Sequence, residues 1–507
     1  MILARLLPSP VCMPSLQTRL PLPESFEAEY LEYNGILPLE ISGDRLKVAV
    51  AGEPASEVLD DLESSFGVPL DLVPVSAADL HDGIRRAYSA AESVIELVRD
   101  LNEAVGAGGE TEAPETDARD LANQPPVIRF VNLLIREAHQ ARASDIHLEA
   151  SRDGLRVRFR LDGILVEAPS PPKGLQAAVV SRVKLLASLD IAERRVPQDG
   201  RIRLRLEERE LDLRVSTIPT LYGESVVLRL LDRGGRPVDL QELGLAPADF
   251  TALKSLAERP HGIVLATGPT GSGKTTTLYA ALGLRRATAE KIITVEDPVE
   301  YHLDGVTQVQ VHARTGMTFG SSLRAILRQD PDVLMIGEMR DTETAQIAVQ
   351  AAITGHLVFS TLHTNDAVSA LARLVNLGVQ PYMVAAALEA VLAQRLVRRI
   401  CADCRERYQP DPEAVALLAN RPVGRMKLDR GRGCASCRDT GYRGRTGLFE
   451  LLRLTDAVKE AGSRGEDPAR LRTVAREEGM TTLRDDGWRK VQAGLTTVEE
   501  VLRVTQD

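Results

Sequence analysis

The sequence predicts an α/β protein whose largest part is a mostly parallel sheet with helices on both faces. Four short apolar runs, IVLATG, KIITVE, DVLMIGE and LVFSTLH, alternate with helical segments beyond about residue 240. The first run leads into the glycine-rich stretch GPTGSGKT, and each run ends in a polar cluster. Because parallel strands present their carboxyl ends at one edge of a sheet, we expect these clusters to converge on a single site.

The stretch from Gly268 to Thr275 has the spacing of a loop that cradles phosphate groups. Its glycines let the backbone turn tightly and direct N–H groups at phosphate oxygens where a helix begins. Lys274 is expected to reach the β and γ phosphates, and the Thr275 hydroxyl to bind Mg²⁺. The predicted ATP-binding residues are Gly268, Pro269, Thr270, Gly271, Ser272, Gly273, Lys274 and Thr275.

Polar residues at the ends of the later strands are the candidates for catalysis. Glu338 follows the third run; we expect it to join Thr275 in the Mg²⁺ shell and to polarise the attacking water, with help from Glu296. His363 follows the fourth run and is a candidate sensor of the γ phosphate. Each of these residues, taken alone, is also compatible with an ordinary structural position. Their occurrence together with the phosphate loop favours the catalytic interpretation.

Composition narrows the class of protein. The 507 residues suffice for roughly two to four domains, and the five cysteines do not make a disulfide scaffold. The net charge of −10 and the aromatic content of 4% argue against a protein that coats nucleic acid. No apolar run is long enough to span a membrane, and the first residues lack the apolar core of a signal peptide. We therefore expect a cytosolic protein.

Changes in pattern divide the chain into predicted segments. Residues 1–100 have the pattern of a small α/β docking module and show no group of candidate catalytic residues. Residues 101–124 are rich in Gly, Pro and acidic residues, which is the pattern of a flexible linker. The remaining predicted segments are a second N-terminal domain (125–235), a nucleotide-binding core (236–394), a tetracysteine element (395–447) and a C-terminal helical subdomain (448–507).

The second N-terminal domain alternates apolar and polar residues as half-buried strands do, and its polar side is rich in arginine. These arginines are Arg156, Arg158, Arg160, Arg201, Arg203, Arg205, Arg214 and Arg229. Some are expected to be solvated surface residues, and the others to direct guanidinium groups at phosphate or at carboxylates of a neighbouring subunit. One sequence does not distinguish the two groups.

Four cysteines form two CxxC pairs, Cys401 with Cys404 and Cys434 with Cys437, with residues 405–433 between them. Four thiolates bind Zn²⁺ tetrahedrally and leave no open position, so the pattern predicts a structural zinc site. Two disulfides are the alternative, which a reducing cytosol disfavours. Cys12 is left over and needs no function.

Four motifs closely resemble the boxes of the secretion ATPases of type II secretion, type IV pilus and related systems. These motifs are GPTGSGKT, ITVEDPVEY, DPDVLMIGEMRD and TGHLVFSTLHTNDA. Four further stretches resemble the family's second N-terminal domain: RASDIHLE, RFRLDG, RRVPQDGRI and DLRVSTIPTLYGESVVLRLL. The resemblance covers about residues 125–507. It implies a RecA-like motor domain, an α+β (PAS-like) second N-terminal domain, and a homohexameric ring with ATP at or near the subunit boundaries.

The resemblance also implies roles for particular arginines. Positions matching Arg214 and Arg229 reach from the second N-terminal domain towards the nucleotide, where they can neutralise charge on the γ phosphate. Motor-domain arginines at the site or at interfaces correspond to Arg324, Arg328, Arg340, Arg373 and Arg445. The tetracysteine element is similar to the insert of assembly and secretion ATPases, which pilus retraction ATPases typically lack.

The stretch LPESFEAEYLEYNGILPLEISGDRLKVAVAGEP resembles the first domain of the type II secretion ATPases. This implies docking of residues 1–100 on the cytoplasmic part of a bitopic inner-membrane protein. It also implies a polytopic platform protein as a second partner, contact with acidic phospholipids, and peripheral attachment to the inner membrane. The expected activity is ATP hydrolysis that drives pseudopilus assembly and protein export.

Three alternatives stay open. A type IV pilus assembly ATPase carries a related first domain. A hexameric motor that translocates nucleic acid is disfavoured, because the chain is acidic and shows no aromatic stacking platform. A switch that binds nucleotide without hydrolysing it would use the same phosphate loop.

Overall fold

The computed structural model describes residues 28–42, 45–52, 54–89, 94, 97–98, 122–206, 209–232, 238–285, 288–419 and 426–505. Cys12, most of the predicted linker 101–124 and parts of the predicted docking module 1–100 lie outside the described residues. The chain divides into two compact units. The first comprises the described residues within 1–159, 166–201 and 215–228, and the second comprises those within 160–165, 202–214 and 229–507.

A three-stranded sheet with three helices forms the first described part of the chain. Strands β1 (Ile36–Ser42) and β2 (Arg45–Val50) pair antiparallel, and β2 pairs parallel with β3 (Leu70–Pro74). The helices are Ala28–Asn34, Ser56–Phe66 and Ala77–Ser89. The alternation in RLKVAV forms a strand because it buries Leu46 and Val48 against the helices of this part.

A six-stranded sheet follows, with the strand order β6-β5-β4-β9-β8-β7. Its strands are β4 (Asp145–Ser151), β5 (Gly154–Leu161), β6 (Ile164–Ala168), β7 (Gln198–Leu206), β8 (Arg209–Thr220) and β9 (Gly223–Asp232). Two helices, Pro125–Gln140 and Gln176–Leu186, belong to the same stretch of chain. Helix Pro125–Gln140 starts with proline, whose missing N–H is tolerated in a first turn, and it buries Val127, Phe130 and Leu134 at helical spacing.

A seven-stranded sheet is the centre of the second unit, with the order β12-β11-β13-β14-β10-β15-β18. Its strands are β10 (Gly262–Thr267), β11 (Ile292–Glu296), β12 (Thr307–Gln310), β13 (Val333–Ile336), β14 (Leu357–Leu362), β15 (Leu388–Ile400) and β18 (Tyr442–Arg453). All neighbouring pairs are parallel except β15 with β18. Strands β10, β13 and β14 are buried at every position, as in a sheet covered on both faces. The predicted α/β class is confirmed.

Helices surround this sheet and form the C-terminal part of the chain. Their bounds are Pro247–Ala257, Lys274–Leu282, Phe319–Ile326, Thr342–Ile353, Ser369–Asn376, Pro381–Ala387, Pro412–Ala419, Asp456–Ser463, Pro468–Glu477, Leu483–Gln492 and Val498–Thr505. Several begin with a capping side chain; the Asp341 carboxylate, for example, accepts from Thr344 N–H. Within the described ranges, no helix combines the length and the apolar character that a membrane crossing requires.

The tetracysteine element lies between two strands of the central sheet. After β15 the chain forms a small antiparallel pair, β16 (Arg405–Tyr408) with β17 (Leu428–Gly431), and then returns as β18. The predicted segment boundaries after residues 394 and 447 therefore fall inside β15 and β18. The physical reason is that β15 and β18 pair with each other over nearly their whole length, so the element is an insertion between two core strands.

Candidate functional site

The loop between β10 and helix Lys274–Leu282 is shaped to hold phosphate. Gly268, Gly271 and Gly273 have φ angles of 146°, 77° and 87°, a region that glycine adopts without strain. The helix that follows presents its N-terminal N–H groups and the positive end of its dipole. Within the described part of the chain, the buried Ser272 hydroxyl has no hydrogen-bond partner, which fits a group that a ligand would satisfy. The loop therefore fits a nucleotide.

Lys274 opens the helix and is buried. Its Nζ donates to the carbonyl oxygens of Gly268 at 2.7 Å and Pro269 at 3.0 Å, which holds the ammonium over the loop. Burial lowers the pKa of this amine to about 8, while the charge of Glu338 opposes the shift and the charge of Arg395 adds to it. Phosphate placed at the loop would favour the charged form of Lys274. Thr275, the predicted Mg²⁺ ligand, is half-buried in the same turn.

Glu338 and His363 come together at the carboxyl edge of the sheet. Glu338 follows β13 and is 9% exposed, and its Oε2 lies 3.4 Å from His363 Nε2, just beyond β14. Arg340 Nη2 lies 2.6 Å from Glu338 Oε1. The Thr361 hydroxyl donates to the carbonyl oxygen of Gly337 at 2.7 Å, which fixes the two strand ends to each other. The structure thus brings together two of the predicted catalytic side chains.

Glu296 ends β11 and is almost fully buried. Its carboxylate accepts hydrogen bonds from the hydroxyls of Tyr279 and Thr294 and, at 3.3 Å, from the Gln308 amide. Burial and the hydrogen bond to Glu296 together hold the pKa of Tyr279 far above its usual range. Because Tyr279 belongs to helix Lys274–Leu282, this network links Glu296 to the phosphate loop, and its help in polarising water stays a prediction.

The arginines implied by the resemblance occupy several different places. Arg324 pairs with Glu343, and Arg328 Nη1 donates to Arg324 O at 2.9 Å. Arg373 lies in the last turn of its helix, and Arg445 Nε lies 3.7 Å from Asp162 Oδ1. Arg214 and Arg229 lie on the neighbouring strands β8 and β9. The proposed contact of these arginines with nucleotide or with another subunit stays a prediction.

Asp332 and His356 lie at the opposite edge of the sheet from Glu338 and His363. Asp332 precedes β13 and accepts from Lys291 N–H at 2.7 Å, and His356 precedes β14 with its Nδ1 2.9 Å from Ala351 O. Both therefore lie at the amino ends of their strands.

Conversely, sequence motifs missed Gln394 and Arg395 on β15, which contact the phosphate loop. No motif marks them, because the loop and β15 are far apart in the chain.

The four cysteines form a compact cluster. Their sulfur atoms all lie within 4.8 Å of one another, with Cys401 to Cys434 at 3.9 Å, Cys404 to Cys437 at 3.8 Å and Cys434 to Cys437 at 3.7 Å. Tetrahedral Zn–S bonds of ~2.3 Å require S···S separations of ~3.8 Å, whereas a disulfide requires ~2.05 Å. The donor set and its geometry therefore fit a metal ion and exclude the alternative of two disulfides.

Backbone hydrogen bonds prepare one thiol of this cluster for metal binding. Burial raises the pKa of the Cys437 thiol, but the N–H groups of Cys434 and Gly441, at 3.2 and 3.3 Å from its sulfur, together with the thiols of Cys434 and Cys404, outweigh burial and lower this pKa to about 7. Metals bind the thiolate form, so these donors favour the ligating state.

We predict that the purified chain carries one zinc ion and that Cys401→Ser removes it. Serine offers a poor ligand to zinc, and three thiolates leave an open, exchangeable position. Metal analysis of the purified protein gives the measurement, with Cys12→Ser as the matched cysteine control that should keep its zinc. Full zinc content in Cys401→Ser would rule out the four-sulfur site.

A phosphate loop after the first strand of a parallel sheet, together with a carboxylate and a histidine at the ends of neighbouring strands, defines the class of P-loop ATPases. Comparison with known proteins gives the family. The model of the family "Type II/IV secretion system protein" matches residues 120–503, and that of the MshEN domain matches residues 14–94. The chain belongs to the type II/IV secretion system protein family and is an ATPase of that family.

Individual relatives are similar along most of the chain. "Type II secretion system ATPase E" of Vibrio cholerae is 46% identical over 451 residues, covering 86% of this chain and 87% of the relative. "Type IV pilus assembly ATPase PilB" of Myxococcus xanthus is 42% identical over 479 residues, covering 94% and 85%. A solved structure, the pilus retraction motor PilT with bound ADP, matches 74% of this chain and 96% of its own at 27% identity and a TM-score of 0.50.

Proposed function

We propose that this chain is the ATPase of a type II secretion system, which hydrolyses Mg²⁺·ATP as a homohexamer to drive pseudopilus assembly and protein export. The observation that carries the proposal is the contact of Glu338 with His363 at the ends of two buried strands, close enough for the Glu338 charge to act on Lys274. A carboxylate in this place orients the attacking water, and the histidine opposite it responds to the γ phosphate.

The remaining residues have supporting roles in this proposal. The phosphate loop, Gly268 to Thr275, holds the phosphates, and Thr275 and Glu338 hold Mg²⁺, which neutralises charge on the phosphate oxygens. Glu296 assists Glu338, and Arg214 and Arg229 approach the γ phosphate from the second N-terminal domain. Arg324, Arg328, Arg340, Arg373 and Arg445 act at the site or at subunit interfaces, and zinc holds the tetracysteine element together.

The proposed location is the cytoplasmic side of the inner membrane, reached through partners. Residues 1–100, most of which match the MshEN domain, dock on a bitopic secretion protein, and a polytopic platform protein receives the motion. Acidic phospholipids are a further proposed contact, and nucleic acid is not expected as a partner of this acidic chain. This arrangement would transmit the closure of one domain on another to membrane partners.

Type IV pilus assembly is the second candidate function. It is favoured by the 42% identity to a pilus assembly ATPase over 94% of this chain, close to the identity with the secretion ATPase. The two candidates share the same hydrolysis chemistry and differ only in the membrane complex that the ATPase drives. Crosslinking residues 1–100 in native membranes, followed by mass spectrometry of the attached proteins, separates the two partner sets.

We predict that a strain carrying Lys274→Ala loses protein export while its pilus-driven motility stays normal. The substitution removes the cation that binds the β and γ phosphates, so the motor cannot turn over. Lys254→Ala, an exposed lysine on a neighbouring helix, is the matched control and should leave export unchanged. Lost motility with normal export would instead assign the chain to pilus assembly.

A further inference from the structure

Strand β15 forms the wall against which the phosphate loop rests. It pairs parallel with β10 up to Thr267 and Ala393, so the next residue, Gln394, lies beside the start of the loop. Gln394 is 2% exposed, and its Oε1 accepts from the Thr277 hydroxyl of helix Lys274–Leu282 at 2.7 Å. The side chain thus ties β15 to the helix that carries Lys274.

The fit between Gln394 and the loop explains two of the loop glycines. A Cβ atom on Gly268 would lie 2.4 Å from Gln394 O, and one on Gly273 would lie 2.9 Å from Gln394 Nε2. Both distances are shorter than carbon contacts allow. A side chain on Gly268 would push the loop away from the β15 backbone, and one on Gly273 would displace the Gln394 amide group. These glycines therefore serve the packing of the loop as well as its backbone conformation.

Arg395 extends the contact from the phosphate loop to the loop after β14. Its Nη1 donates to Gln394 O at 3.2 Å and lies 3.1 Å from the place of a Gly268 Cβ. Its Nη2 donates to Asn365 O at 2.8 Å. One planar guanidinium therefore bridges the backbone beside the phosphate loop and the backbone two residues beyond His363.

A second bridge joins the same two loops without charge. Thr267, the last residue of β10, has its hydroxyl 2.7 Å from the Thr364 hydroxyl and accepts from Thr364 N–H at 2.9 Å. With this bridge on one side and Arg395 on the other, the segment Thr364–Asn365 is held to the phosphate loop at two points. His363 immediately precedes that segment and contacts Glu338.

The electrostatics at the loop agree with this geometry. Burial is the largest influence on Lys274 and lowers the pKa of its amine; Glu338 opposes the shift and Arg395 adds to it. The charges of both Arg395 and Glu338 therefore influence the pKa of Lys274. The Arg395 guanidinium is thus close enough to the Lys274 amine to act on it electrostatically.

We propose that Arg395 is a positioning residue for ATP hydrolysis: its guanidinium fixes the loop that carries His363 in register with the phosphate loop. The inference rests on the ATPase function. Arg395 acts through the backbone of Gln394 and Asn365, so its effect falls on the alignment of His363 and Glu338 more than on ATP affinity.

The first test compares Arg395→Lys and Arg395→Gln with the wild-type protein. Lysine keeps the charge but lacks the fork that reaches two carbonyls, so both variants are expected to lower kcat by about 10- to 100-fold with little change in ATP affinity. Arg399→Gln is the matched control, since Arg399 is exposed on the same strand. Wild-type kcat in Arg395→Lys would show that the fork is not needed and would overturn the proposal.

A second measurement separates positioning from a general loss of stability. Hydrogen exchange in peptides that cover residues 363–367 should accelerate in Arg395→Gln, while exchange in β10 stays slow. The double variant Arg395→Gln/His363→Ala should lose little more activity than His363→Ala alone, because both changes disable one unit. Unchanged exchange in that segment, or additive losses of activity, would overturn the proposal.

The ATPase function is tested separately from the role of Arg395. Hydrolysis by the wild-type protein that Lys274→Ala abolishes supports the function whatever the Arg395 variants do. A wild-type protein that binds ATP without hydrolysing it, alone and with its membrane partners, would overturn both the function and the role of Arg395.

Discussion

Replacing Glu338 by Gln should reduce ATP hydrolysis by about 10² to 10⁴-fold while ATP still binds. Glutamine keeps the size of the side chain but removes the negative charge that orients and polarises water. The phosphate loop and Lys274, which supply the affinity, are untouched. Because Thr275 and the phosphates keep their own contacts with Mg²⁺, the affinity for ATP should change much less than turnover.

Phosphate release and the binding of a fluorescent ATP analogue measure the two effects separately. Glu477→Gln is the matched control, because Glu477 is an exposed glutamate at the end of a C-terminal helix. Unchanged turnover in Glu338→Gln would eliminate the catalytic role assigned to Glu338. Loss of ATP binding would instead mean that Glu338 acts mainly through the bound Mg²⁺.

Replacing Glu224 by Ala should destabilise the fold around the six-stranded sheet by about 3–5 kcal/mol. Lys184 is completely buried, and its Nζ donates to Glu224 Oε1 at 2.8 Å and to Glu193 O at 2.7 Å. The Glu224 side chain is 6% exposed. Removing the carboxylate leaves a buried ammonium without its counter-charge, which is far more costly than losing a surface pair.

Native-state hydrogen exchange in helix Gln176–Leu186 and strand β9 should reveal this loss. The combined replacement Lys184→Met/Glu224→Leu should recover most of the stability, because it removes both charges and keeps apolar volume. Glu167→Ala is the control: its partner Arg156 lies on the surface, so exchange should change little. Exchange in Glu224→Ala as slow as in the wild type would show that the pair does not stabilise this region.

The sequence predicted the elements whose signal is local. Strands β10, β11, β13 and β14 are short apolar runs with polar ends, and the phosphate loop has fixed spacing, so both were recognisable without tertiary information. The spacing of the cysteine pairs likewise predicted a cluster of four thiols, and in the structure these thiols have a geometry suitable for a metal ion.

The elements decided by distant partners were not predictable in this way. Strand β15, LEAVLAQRLVRRI, is rich in Leu, Ala and Arg, which favour helix, yet it is a strand because β10 and β18 pair with it on both sides. Glu296 was predicted to help Glu338 polarise water, but the burial of its side chain and its hydrogen-bond partners were not apparent from the sequence. Tyr279 belongs to helix Lys274–Leu282 and Gln308 to strand β12, so their hydrogen bonds to Glu296 depend on how these elements pack.

The tetracysteine element is inserted between β15 and β18, so strand β15 connects the phosphate loop directly to the cysteine cluster. Arg395 and Cys401 lie on the same continuous chain segment, separated by about 20 Å of extended strand. The antiparallel ladder with β18 stiffens that segment along its length. A displacement of the cysteine cluster would therefore be transmitted along β15, past a single register irregularity between Arg398 and Ile400, to the residues beside the phosphate loop.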